Sequence, residues 1–561
     1  MSAPLTPEAL EELLGDPYDP ANPHGFAAAV ARDERDEFPA LLCETLCDAG
    51  FHLNYLPKEW GGAFESFDRS LILVRAAARR DVNVMPGTMF SIIAATCLQL
   101  HGTTEQRERV AAILQRGGAV AFALTESGHG SELIANEARL EDGLLHGEKW
   151  LVGNGLRAEA LYVVARTGAR GPGAFSSVLL DLADGCDERL VRVPAPRTGG
   201  MRGIDLARVR FDALPVPRDA LVGKEGEGLE VSIKAQQAVR LMSMAGSLGI
   251  ADSAVRLTLD FAKERRFGRT RLTEAPFTRR ETAVATAALL AADAVALAAT
   301  RGIHGVPEAF SVWGPAAKHV VAEATDELIR RCGGVLATRS VLRDGAGGAE
   351  LFQKLQRDSA VVRVIDASPL ANLRSYAGQL PTMLRGGAGA EAGTLASIFR
   401  FDAPLPPYRP DRLDLITRGL DPVLDSLPQA AGAVPGATQA AACVARVSEA
   451  VTALPAEADR ARRPGADPNA LVDLAERYAW LHSAAACVHL WHANQDRSLY
   501  GTAPGSTGWL GAAVGYLLAR ADGVDPRRHA AALTPALDAV ARLRDGGLLF
   551  TARPLRLAAT R

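Results

Sequence analysis

The chain has 561 residues, 48% of them hydrophobic and 23% charged, and a formal net charge of -3. That length is too great for one core and implies several domains, and the near-neutral balance gives no footprint for nucleic acid or an anionic membrane surface. The seven cysteines, at 43, 47, 97, 186, 332, 443 and 487, are scattered without disulfide-framework or metal spacing, as in a reducing cytoplasm.

The N-terminus MSAPLTPEALEELLGDP lacks the basic start and apolar core of a signal sequence. No apolar run is expected to reach membrane-spanning length. Arg is favoured over Lys, with no Lys after Lys354, and Ala and Gly abound, which suggests a GC-rich bacterial genome.

From Leu5 to about Gly118 apolar residues recur at helical spacing, as in SLILVRAAARR and CLQLHGTTEQRERVAAILQR. Thr103 and Gln106 read as a capping box. From Ala119 the texture becomes short runs of Val, Leu and Phe separated by Gly, Asp and Pro: AVAFAL, ALYVVART, SSVLLDL, LARVRF. This predicts a compact β domain. GKEGEGLE is its exit turn, and helical texture then persists to about Arg400. A Pro-rich linker, RFDAPLPPYRPDRLD, precedes an Ala-rich helical region to Arg561. The expected domains are residues 1–118 (helical), 119–227 (β), 228–400 (helical bundle) and 401–561 (helical extension).

Several motifs have bland readings. RGGAGAEAG (Arg385 to Gly393) follows no strand and opens no βαβ unit, so it reads as a linker, not a dinucleotide loop. His482, Cys487, His489 and His492 share one predicted helix without a completing ligand and read as core or interface residues; no metal is expected. FALTESGHGSE (Phe122 to Glu132) is a strand running into a turn whose glycines let a ligand approach the backbone. HGEKWLVGNG is a second strand ending in a Gly-Asn-Gly turn. In QRDSAVVRVIDASPLANL, Ser368-Pro369 supplies an N-cap and a first helical position. Asp366 therefore stands at a helix–helix joint, as a turn residue or as a working acid/base.

Seven segments in order resemble the acyl-CoA dehydrogenase family, over roughly residues 35–380. LPKEWGG is similar to its Pro-Glu-x-x-Gly-Gly segment, HGTTEQRERV to its Gly-Thr-x-x-Gln helix start, and ALTESGHGSE to its Leu-Thr-Glu-Pro-x-x-Gly-Ser-Asp signature. GEKWLVGNG matches the Gly-x-Lys-x-x-Ile-Thr-Asn-Gly strand with Gly153 for Thr, and VPRDALVGKEGEG matches the domain exit. ERRFG resembles Arg-x-x-Phe-Gly shortened by one, and CGGVL keeps the Gly-Gly (Gly333) of its motif.

The resemblance implies an α+β multidomain fold: an N-terminal helical domain, a middle β-barrel-like domain, a C-terminal four-helix bundle and, here, an extra C-terminal helical domain. It implies FAD at a subunit interface, with Phe122, Leu124, Thr125 and Ser131 lining the flavin and Leu151 and Gly153 near its ring. Arg265 and Phe267 would reach the neighbouring subunit's FAD, and Ser368 falls on a flavin-contacting Thr. Arg240 matches an arginine beside the substrate. Gln237 replaces a frequent acidic residue at the CoA portion, which leaves CoA or an acyl-carrier protein as the thioester carrier. Asp366 falls on the catalytic Glu, and Val239 occupies the alternative base position. The implied reaction is α,β-dehydrogenation of an acyl thioester, with electron-transfer flavoprotein or oxygen as acceptor, in a cytoplasmic homodimer. The alternatives are a flavin monooxygenase on the same scaffold, since such relatives dispense with the Glu, or a non-catalytic member.

Overall fold

Short β-rich runs punctuated by Gly and Pro build one eight-stranded sheet. The computed structural model describes residues 4–182, 187–343, 349–386 and 392–558; Cys186 and most of the RGGAGAEAG segment lie outside them. The strands are β1 (Val120–Ala123), β2 (Arg139–Glu141), β3 (Leu144–Gly153), β4 (Ala160–Arg166), β5 (Phe175–Asp181), β6 (Leu190–Pro194), β7 (Leu206–Pro215) and β8 (Leu221–Val222). Their order is β6-β7-β3-β2-β4-β5-β8, with β1 joined to β4 in parallel, Val120 opposite Ala160. β4 and β5 are buried on both faces over their first six residues, which makes β4 a nearly continuous apolar run, whereas β7 alternates buried and exposed residues. Leu145, Val152, Leu161, Val163, Val178 and Val209 form the centre of this core.

The sheet belongs to a first compact unit with helical segments Ala31–Ser70 and those from Asp81 to the sheet. Thr103 caps the helix Thr104–Gln115, and Gln106 answers its backbone N–H, so the capping box is formed as the sequence predicts.

The second unit comprises Pro7–Val30, Leu71–Arg80 and Arg240–Arg561. The helix Gly228–Glu264 passes into it at Arg240, and Pro276–Gly305, Phe310–Leu336 and Ala349–Val364 complete the bundle. Beyond the Pro-rich stretch come the helices Gln439–Ala461, Ala470–Ala493, Gly508–Ala521 and Ala530–Asp545. They pack on the bundle through buried Trp480 and Trp509 and through Glu327, which accepts from Arg331 (2.6 Å), Arg520 (2.6 Å) and the Tyr516 hydroxyl (3.0 Å). Fully buried Arg75 donates to Asp252 (2.7 Å), Asp293 (2.5 Å) and the Phe550 carbonyl (2.7 Å), which fastens the C-terminal tail into the same core.

The expectation about apolar runs needs correction. By length and composition Val84–His101 and Pro276–Gly305 are each long and apolar enough to cross a membrane. The second is buried over its whole window, because an Ala-rich helix at the centre of a bundle is apolar all round, and the first is buried over 72% of its window.

Candidate functional site

In the first unit, the predicted flavin residues of the two motif strands lie side by side. Trp150 N–H donates to the Thr125 carbonyl at 2.8 Å, and Lys149 reaches the Leu124 carbonyl at 3.0 Å and Glu126 at 2.8 Å. Glu126 also accepts from the backbone of Glu137 (2.7 Å) and Ala138 (3.0 Å). Burial pushes its carboxyl up, but Lys149 and these N–H groups outweigh burial and hold it low; burial also lowers Lys149. This buried pair anchors the turn that follows, where no protein group takes the Thr125 or Ser131 hydroxyl among the described residues. A Cβ added at Gly128 or Gly130 would meet nothing within 4 Å, so this face of the turn is open.

Leu151 is the strained member of the group. It has φ +52° at a register shift of β3 against β7, and it is 43% exposed. A bulky residue with positive φ is rare, and a bulge is a common device for re-aiming a side chain. Gly153 lies where the resemblance expects a threonine, and the structure fills that space: a Cβ there would fall 2.0 Å from the ring of Phe90. Phe122 stacks on Tyr162 at 5.7 Å between centroids. Open glycines, unengaged hydroxyls and an exposed apolar side chain in one place form a donor set that fits a ring system carrying polar edges.

In the second unit, Asp366 lies at the predicted break. The helix Ala349–Val364 ends, Ser368 caps Pro369–Ala377 by accepting from Ala371 N–H at 3.2 Å, and Asp366 between them adopts φ +65°. Short polar Asp tolerates this left-handed conformation better than most residues. Its backbone N–H is used by no hydrogen bond among the described residues.

Three side chains face the half-buried Asp366. Burial pushes its carboxyl above the ordinary value, while Lys318, Arg240 and the Ser243 hydroxyl oppose that rise. Ser243 Oγ donates to the Arg240 carbonyl at 2.9 Å. Arg240 is 7% exposed, and its Nε has no partner among the described residues; burial lowers its pKa, and Asp366 opposes this. Lys318 is fully buried and pushed down to about 8 by burial.

Arg265 and Phe267 stand on a separate exposed hairpin, where Arg266–Phe267 pairs with Thr270–Arg271 and Phe267 is 78% exposed. Gly333 lies in the last turns of Phe310–Leu336, near Phe352 and Ser340. Sequence reasoning missed Lys318, Ser243 and Phe90. Of these, only Lys318 carried a signal, a lone cation in the apolar run GPAAKHVVAEA. The extension's histidines are absorbed in packing: His489 Nε2 faces the Val423 carbonyl at 2.9 Å, and His482 lies 3.6 Å from Asp421.

The first unit thus carries an open Gly-rich turn, and the second unit carries a carboxylate at a helix joint. The family models described as acyl-CoA dehydrogenase N-terminal, middle and C-terminal domains match residues 24–117, 121–214 and 226–366, more than half of the chain. The chain belongs to the acyl-CoA dehydrogenase family.

Among curated relatives, the chain is 27% identical over 252 residues to an acryloyl-CoA reductase (NADH) of Anaerotignum propionicum, covering 42% of this chain and 62% of that protein. It thus spans about three fifths of the length of the curated relatives it matches. Among solved structures, an acyl-CoA dehydrogenase complexed with FAD from Bacillus anthracis superposes with TM-score 0.68 at 16% identity, covering 99% of this chain and 95% of that one. Butyryl-CoA dehydrogenase from Megasphaera elsdenii gives TM-score 0.58 at 20% identity, covering 67% and 98%. These two likenesses establish the fold, including the extension in the first.

Proposed function

We propose that the chain is an FAD-dependent dehydrogenase that desaturates an acyl thioester, with Asp366 as the base that takes the α proton. The observation that carries this reading is the Asp366 joint: a carboxylate in a left-handed conformation, with a disengaged N–H and two buried cations facing it. On the first unit Phe122, Leu124, Thr125, Ser131, Leu151 and Gly153 would hold the flavin; Arg265, Phe267, Gly333 and Ser368, on the second unit, are the remaining candidates for flavin contacts, some of them to a neighbouring subunit's flavin in a homodimer. When bound, the flavin supplies the acceptor for the hydride leaving the β carbon.

The protein's own part follows from elementary chemistry. An α C–H beside a thioester is a weak acid, so the developing enolate oxygen needs a donor, and the free Asp366 N–H provides one. The carboxylate of Asp366 then takes the proton, and burial, by raising its pKa, makes it a stronger base. Aspartate is one methylene shorter than glutamate, and a shift of about 1 Å in reach can cost on the order of 100-fold; the left-handed backbone at Asp366 supports a repositioned joint that suits the shorter side chain. Arg240 would position the substrate through its unpartnered Nε. Coenzyme A or a carrier protein would bear the acyl group, and electron-transfer flavoprotein or oxygen would take the electrons.

The test is anaerobic mixing of the flavin-loaded protein with acyl thioesters. Bleaching of the flavin is expected, and Asp366→Asn should slow it by at least ~100-fold, the low end of what a positioned base contributes, while flavin content is kept. Reduction of the Asn variant at the wild-type rate would make Asp366 a turn residue. A flavin reducible only by an external reductase would point to oxygen chemistry instead.

A further inference from the structure

Lys318 is a fully buried cation on the helix Phe310–Leu336, and its ammonium is spent on backbone. It donates to the carbonyls of Val362 (3.0 Å) and Arg363 (3.3 Å). These belong to the last turn of Ala349–Val364, whose carbonyls have no partners within the helix and carry the negative end of its dipole. Only Val364 and Ile365 separate Arg363 from Asp366, and Ile365 N–H still bonds to the Val361 carbonyl at 3.0 Å. A side chain from another helix therefore grips the backbone just before the chain leaves the helix for φ +65°.

We propose that Lys318 is the positioning residue for Asp366, tying down the helix end from which the carboxylate projects. The charged and polar groups facing Asp366 are Lys318, Arg240 and Ser243. Those acting on Lys318 are Asp366, Arg240, Glu323 and Arg363. Glu323 and Arg363 pair with each other at 2.6 Å, so their charges largely cancel. What remains is two cations around one carboxylate, and removing one of them leaves burial less opposed. The catalytic consequence rests on the reading of Asp366 as the base; the coupling itself is a property of the protein without substrate.

The experiment uses the full chain and two substitutions. Lys318→Gln keeps a neutral donor for the carbonyls, and Lys318→Met removes donor and charge. The protonated-carboxyl infrared band that disappears in Asp366→Asn belongs to Asp366, and its intensity against pH gives the ionisation midpoint. The midpoint should rise by at least about one pH unit in both lysine variants, a tenfold weaker acid, and the acid limb of substrate-driven flavin reduction should move with it. The melting temperature should fall mainly in Lys318→Met. A merely structural lysine would lower the melting temperature and leave the midpoint in place, and an unmoved midpoint in folded Lys318→Gln overturns the proposal. If neither single variant folds, Asp366→Asn/Lys318→Met decides: recovery of folded protein supports the coupling, and additive loss refutes it. Wild-type activity in Asp366→Asn would remove the base reading but leave this titration standing, so the two failures are distinguishable.

Discussion

Restoring the family's threonine at position 153 should fail for a reason visible in the packing. A Cβ on Gly153 would lie 2.0 Å from Phe90 Cδ2, 2.3 Å from Cε2 and 3.0 Å from Cγ. Non-bonded carbons favour about 3.5–4.0 Å, so the ring must retreat by roughly 1.5 Å before the hydroxyl and methyl are even considered. Phe90 sits between the segments Val84–Met89 and Ile92–His101, and Ser91, the next residue, accepts from Val120 N–H at 2.9 Å, so its backbone is tied to β1. The movement must therefore come from side-chain rotation, and overpacking of this kind costs about 1–3 kcal/mol. We expect Gly153→Thr to lose that much stability in denaturant unfolding and to bind less flavin per chain. Phe90→Ala/Gly153→Thr should recover most of both, because the clash is a pairwise effect that shows as a coupling energy. Unchanged stability and flavin content in the single Thr variant would refute the placement of Phe90.

Arg75→Met should destabilise the second unit by about 3–5 kcal/mol, the usual result of leaving buried carboxylates without their partner, and should expose the segment around Phe550 to protease; loss of less than about 1 kcal/mol would mean that Asp252 and Asp293 do not depend on it. Burial pushes His319 and His489 down to about 4. Their folded pKa values lie below the ordinary 6.5, so the stability they contribute is present above that value and is lost as pH falls from 6.5 through 4. Acid titration followed by circular dichroism should show this loss, and His489→Gln should flatten it.

Features set by neighbours in sequence were legible in the chain. The capping box at Thr103 and Gln106 and the cap at Ser368 depend on contacts a few residues apart, and each formed as read. Asp366 was legible as a joint residue because Ser-Pro announces the next helix, but its backbone conformation was not, since a non-glycine at φ +65° is held by its surroundings. Lys318 and Phe90 escaped because their roles depend on what another segment places beside them. The apolar length of Pro276–Gly305 was misjudged because scattered Thr, Arg and Asp hide how apolar the whole helix is; Arg75 accounts for its buried Asp293.

The clasp between Arg75 and the Phe550 carbonyl joins residues 475 positions apart. The second unit is assembled from stretches that lie before, within and after the first, so during synthesis its early helices must wait for the last part of the chain. Contacts of such separation are slow to form because loop closure precedes any gain from them. On the ribosome the sheet unit has all its residues available by Val239, whereas the unit bearing Asp366 stays open, its Ala-rich central helix unshielded, until residues near 552 emerge. A nascent chain stalled before that point should hold a folded sheet and a chaperone-dependent remainder.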